Sequence, residues 1–119
     1  MKLLTKAIEA KLVKNFKVNE ACRLKDGNTK DFKPVLKLFN PCGSGTWLIS
    51  ELDPEDNSTM FGLSDLGMGS ASLGYVSLAE LTSVRLSFGL GIERDLSFKA
   101  DKTLGEYAKQ ARLIGRIQA

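Results

Sequence analysis

The chain has 119 residues and carries 17 Lys/Arg against 14 Asp/Glu, with no histidine. A single globular domain over 1–119 with one core suits that length, and 43% hydrophobic with 26% charged residues are ordinary values for a soluble protein. The lack of histidine removes the commonest metal ligand and the usual general base near neutral pH; with only Cys22 and Cys42 as thiols, a structural zinc site and a Ser-His-Asp or Cys-His nucleophile are excluded.

Met1-Lys2-Leu3-Leu4 imitates the start of a secretory signal, but Lys6, Glu9, Lys11 and Lys14 interrupt the apolar run. The expectation is therefore a cytoplasmic protein with no membrane span and two free thiols. Residues 5–16 read as a helix, with Thr5 as N-cap and Leu4, Ile8, Leu12 and Phe16 recurring every four residues. Residues 17–33 are polar and mixed and read as a loop, with room for a short strand around Ala21–Leu24. Val35–Phe39 and Thr46–Glu51 read as two strands of an antiparallel hairpin. The loop between them contains Asn40-Pro41-Cys42-Gly43-Ser44-Gly45.

Leu52–Thr59 is a second loop, and Met60–Leu66 a third strand. The stretch 67–72 is flexible by composition, and Gly74–Val76 is a short extended segment. Ser77-Leu78-Ala79-Glu80 matches a capping box and opens a short helix near 78–83. Ile92–Phe98 reads as the last strand. Thr103-Leu104-Gly105-Glu106 is a second capping box; it opens a C-terminal helix with Leu104, Tyr107, Ala108, Ala111 and Ile114 on its inner face. Helices at the ends and strands between them predict an α+β fold, with an antiparallel sheet of about four or five strands.

Charge is segregated along the chain. Residues 1–40 hold ten Lys/Arg against four acids, 41–80 hold six acids and no cation, and 81–119 hold seven Lys/Arg against four acids. The central block suggests a face for a charged partner, or a part that the termini cover. Glu51, Asp53, Glu55 and Asp56 lie within six residues and read first as a solvated turn. The sharper readings are a partner-facing acidic patch with Trp47 beside it, or a divalent-cation loop, although Ser58 stands where an EF-hand needs glycine. Trp47 reads as a core residue facing the same side as Ile49 and Glu51, with ligand stacking as the alternative.

Asp65 and Arg94 are polar intruders on apolar strand faces, which predicts a buried ion pair of Arg94 with Asp65 or another carboxylate near the sheet edge, or else an anion-binding arginine. Gly67-Met68-Gly69 with Gly74 does not match a dinucleotide fingerprint, and no cofactor is expected. Lys109, Arg112 and Arg116 form a basic stripe on the C-terminal helix, and Lys2, Lys6, Lys11, Lys14 and Lys17 enrich the N-terminal region. Such faces are usually solvated; nucleic-acid phosphates are the functional alternative.

Several blocks together resemble domain-of-unknown-function family 2958. They are Met1–Thr5, Thr46-Trp47, Glu51–Asp56, Phe61-Gly62-Leu63, Leu73–Leu81 and Gly91–Phe98. The resemblance runs from Met1 to about Phe98, with gaps at 17–33 and 67–72, and the basic C-terminal helix departs from the family pattern. It implies a small bacterial protein, often carried on plasmids, phages or integrative elements, and it supplies no activity. The leading expectation is a non-enzymatic accessory protein that binds a protein partner through its acidic centre, with an anti-defence role as the sharpest form. The rivals are a nucleic-acid-binding module using the basic terminal helices, and an enzyme without histidine in its site. The sequence sets no oligomeric state.

Overall fold

The computed structural model describes residues 3–119; the expectations placed on Met1 and Lys2 lie outside these residues. The first helix, α1, spans Lys6–Lys25. Thr5 caps it as expected, its Oγ1 accepting the Ile8 N–H at 3.1 Å. The helix does not stop at Phe16: the segment read as a loop with a short strand is helical through Lys25, and the chain then turns at Asp26-Gly27.

Four strands follow, β1 (Leu36–Phe39), β2 (Thr46–Leu52), β3 (Thr59–Asp65) and β4 (Ala71–Ser77). A short helix, α2 (Leu78–Ser83), comes next, then a brief strand, β5 (Glu93–Arg94), and the last helix, α3 (Leu104–Ile114). The strands form one antiparallel sheet in the order β4-β3-β2-β1-β5, so the fold is α+β, as expected. The Gly/Ser stretch is a tight hairpin turn, with Gly67 and Gly69 at positive φ, and the segment after it is a full seven-residue strand. Ile92–Phe98, by contrast, pairs only at Glu93 and Arg94. Asp95 ends the strand: its carboxylate accepts the Ser97 N–H at 2.9 Å and lies 3.5 Å from Lys37 Nζ.

Each sheet face has its own core. Leu36, Leu38, Trp47, Ile49, Leu52 and Met60 pack with Leu3 and with Leu12 of α1. Leu48 and Leu63 pack on the opposite face with Leu104, Tyr107, Ala108 and Ala111 of α3. Ile114, expected on the inner face of α3, is 46% exposed, because the helix ends there with Gly115 in the left-handed conformation. The capping box at Thr103 is complete, with both reciprocal bonds made. Ser77 caps α2 from one side, accepting the Glu80 N–H at 3.1 Å. Among the described residues, no helix is long and apolar enough to cross a membrane.

One irregularity decides where the candidate site side chains go. Ile49 pairs with Gly62 and Glu51 pairs with Phe61, so Ser50 has no partner of its own and forms a bulge. An extra residue reverses the two-residue alternation of a strand. Trp47 and Ile49 therefore face α1 while Glu51 shares a face with Phe61, contrary to the expectation that all three point the same way.

A candidate ligand cleft around Glu51

Strand β1 pairs with β2 only as far as Leu36–Ile49, so the β2 edge beyond Ile49 needs another partner. The second half of α1 supplies it with two buried asparagines, four residues apart and so on one helix face. Asn15 Nδ2 donates to the Ser50 carbonyl at 3.0 Å. Asn19 Nδ2 donates to Glu51 Oε2 at 2.9 Å and to the Lys30 carbonyl at 3.1 Å, and its Oδ1 accepts the Lys30 N–H at 2.7 Å. Asn19 thus ties the helix, the segment after it and the bulged strand together.

An open cavity of about 580 Å³ lies at this junction. Phe16, Asn19 and Arg23 of α1 line one side, Thr29 and Lys30 continue it, and Glu51, Asp53, Thr59, Phe61 and Tyr75 of the sheet form the other. Glu51, Phe61 and Tyr75 are register partners on three adjacent strands, so they make one row across the sheet. The Phe61 and Tyr75 rings meet edge to face, with centroids 5.7 Å apart and planes at 68°. Across the cleft, the Arg23 guanidinium sits 5.8 Å from the centroid of the Phe16 ring.

Glu51 is 6% exposed. Burial raises its pKa above the ordinary glutamate value, against the hydrogen bond from Asn19 and the positive charge of Arg23. The carboxylate is under-compensated: Asn19 provides its one hydrogen bond among the described residues, and the ammonium and guanidinium groups nearby are on exposed side chains. Such a group retains lone pairs that can accept further hydrogen bonds, and it is a candidate site on that ground.

The acidic patch expected from sequence is divided by the fold. Trp47 is core, its ring packed against Gly45, where an added Cβ would lie 3.0 Å from Trp47 Cη2. Asp53 Oδ1 accepts the Glu55 N–H at 2.9 Å. Asp56 accepts the Ser58 and Thr59 N–H groups, each at 2.9 Å, and the Thr59 hydroxyl at 2.6 Å. The Thr59 hydroxyl first, then those backbone donors, lower the Asp56 pKa to about 2. Two of the acids therefore organise a turn, and Glu55 and Asp56 are exposed on it.

Asp65 and Arg94 do not pair: β2 and β1 lie between their strands. Asp65 accepts the Gly67 N–H at 2.8 Å and the Ile117 N–H at 2.9 Å, and Arg94 donates to the Leu3 carbonyl at 3.0 Å. Lys109, Arg112 and Arg116 are all exposed, as are Lys6, Lys11, Lys14 and Lys17. The two ion pairs among the described residues, Lys37–Asp95 and Lys102–Asp101, use none of them. Cys22 and Cys42 are free thiols.

Sequence reading missed Asn19, Arg23, Lys30, Phe61 and Tyr75 as a group, and took Phe16 for the inner face of a short helix. The available signal was the spacing of Phe16, Asn19 and Arg23, which falls on one face once α1 is known to continue. No curated protein and no solved structure matches the chain. The family resemblance extends further than the sequence blocks indicated, past Phe98 and through the basic C-terminal helix. A family model described as "Protein of unknown function (DUF2958)" matches residues 3–118, nearly the whole chain, and the chain belongs to that family.

Proposed function

We propose that this protein is a non-enzymatic binding module for single-stranded nucleic acid. The observation that supports it is the sharing of one sheet face by the aromatic cleft and the basic helix. Phe61 packs with the cluster that seats α3, so the row Glu51–Phe61–Tyr75 lies on the α3 side. An unpaired base stacks on aromatic side chains, and its phosphates meet cations nearby. Tyr75 is 75% exposed at the sheet edge and is available to a base, with Arg23 and Lys30 bordering the cleft and Lys109 and Arg112 on α3, with Arg116 just past its end, for the backbone.

Fluorescence anisotropy with a labelled oligothymidylate and with a duplex of equal length tests this reading. The single strand binds more tightly, and Tyr75→Ala weakens it by about tenfold or more, from the loss of one stacked base. Neutralising Lys109, Arg112 and Arg116 together lowers the slope of log K against log salt by about 2, at roughly 0.7 for each phosphate no longer neutralised. Equal binding of duplex, or no binding at low salt, overturns the proposal.

A second reading keeps a protein partner, through the exposed acids of the turn after β2. It is supported by the absence of any cation between Lys37 and Arg85. Its setting is an accessory protein of a bacterial mobile element, with a basic groove of a host nuclease as the anti-defence target. Charge reversal at Asp53, Glu55 and Asp56 abolishes capture of that partner if this reading holds, and leaves it unchanged if it does not.

A further inference from the structure

The Glu51 cleft also has a chemistry that separates one base from another. Asn19 takes one of the roughly four lone-pair sites of the carboxylate, which leaves the rest for a ligand. An ionised carboxylate only accepts hydrogen bonds, so it favours an edge with neighbouring donors and penalises an edge that mixes donor with acceptor. Guanine presents N1–H and an N2 amino group side by side on its Watson–Crick edge. Adenine and cytosine each set a ring-nitrogen acceptor beside their amino group, and uracil and thymine flank a single N–H with two carbonyls. Two strand spacings, roughly 10 Å, separate Glu51 from Tyr75 along the row, and a base lying over Phe61 reaches both.

We infer that the cleft selects guanine in single-stranded nucleic acid, with Glu51 accepting from N1–H and the N2 amino group while Phe61 and Tyr75 contact the ring. Arg23 and Lys30, exposed at the border of the cleft, meet the flanking phosphates. This rests on the cleft being a nucleic-acid site, and it adds a specificity that stacking alone does not provide. Burial of Glu51 supports it, because a buried acceptor left facing an acceptor loses more than one facing water.

The test compares an oligothymidylate with copies that carry one central guanine, hypoxanthine or adenine, titrated against the full chain. The guanine copy binds tighter than the adenine copy by about tenfold or more, the discrimination of a good two-point base contact. Hypoxanthine, which keeps N1–H and lacks the N2 amino group, falls between them. Glu51→Gln removes most of the preference, bringing the guanine copy to within about twofold of the adenine copy. Glutamine is nearly isosteric and keeps an acceptor for Asn19; a thermal melt of the variant confirms that the fold is intact. Equal affinity for the three substituted copies, or a guanine preference that survives Glu51→Gln, overturns the inference while the general reading stands. Failure of every oligonucleotide to bind overturns both.

Discussion

Glu51 and Asp65 are both buried acids on the same sheet face, at opposite ends of the β2–β3 ladder. At the Asp65 end, two backbone N–H groups meet the carboxylate, and one of them belongs to Ile117, so the acid fastens the C-terminal segment to the sheet. At the Glu51 end, one side-chain amide meets the carboxylate and a cavity opens beside it. The two acids are 6% exposed alike, so burial does not distinguish structural from functional. The donor set does: backbone donors fixed by the fold make Asp65 a latch, while the single donor and open space at Glu51 support the ligand role proposed for it.

The largest expected effect breaks the latch. Asp65→Ala strands the Gly67 and Ile117 N–H groups and costs about 3 kcal/mol in urea denaturation, since each bond to a charged acceptor contributes roughly 1.5–3 kcal/mol. A loss below about 0.5 kcal/mol, the range of ordinary surface changes, shows that water replaces the carboxylate and removes the contrast. Next is Asn19→Ala, which removes three hydrogen bonds and leaves a buried carboxylate without its donor, for roughly 2–3 kcal/mol. In a Glu51→Gln background the same change costs about 1 kcal/mol less, because the buried charge is already gone. Additive losses mean that Asn19 serves only the Lys30 segment.

The third effect is a pH dependence. The folded state holds the Glu51 proton to higher pH than the unfolded chain does, because burial raises its pKa. The stability this contributes is complete below the unfolded value and is lost as pH rises through the folded value. Glu51→Gln abolishes that loss, so the variant gains stability on the parent as pH rises above the ordinary glutamate value, roughly 4.3. Denaturation midpoints of the two proteins across that range check the sign; a parent that gains on the variant as pH rises places Glu51 in a compensated pair instead.

How far the sequence foresaw these two ends differs. The layout of helices and strands was readable because Leu36, Leu38, Leu48, Ile49 and Leu63 alternate in short apolar runs, and because Thr5, Ser77 and Thr103 stand where caps belong. The second half of α1 was not readable, because the polar contacts of Asn15 and Asn19, rather than an apolar stripe, seat it on the sheet. Glu51 was singled out as acidic but assigned to the wrong face, because a bulge at Ser50 has no signature in a run of residues that all suit a strand. Asp65 and Arg94 stand out in the sequence as polar residues within apolar strand runs. Their pairing failed because strand order in space, and the backbone donors that reach Asp65, are tertiary facts.

The smallest effect separates the cleft from the acidic turn beside it. Asp53 lines the cleft while Asp56, three residues on, spends its carboxylate on Thr59 and Ser58. The Thr59 hydroxyl contributes most to holding the Asp56 pKa near 2, so Thr59→Val moves that value up toward the ordinary aspartate range while the two backbone donors keep it below. Carboxyl chemical shifts followed through an acid titration read this directly. Asp56 is fully exposed and its titration reports its own hydrogen bonds, whereas the same experiment on Glu51 reports a group whose charge the fold opposes. Two neighbouring acids moved in opposite directions by hydrogen bonding and by burial show that the charge block of the sequence is two different chemistries. Glu51, inside the cleft, spends one of its roughly four lone-pair sites on the fold, whereas Asp56 spends three on its own turn.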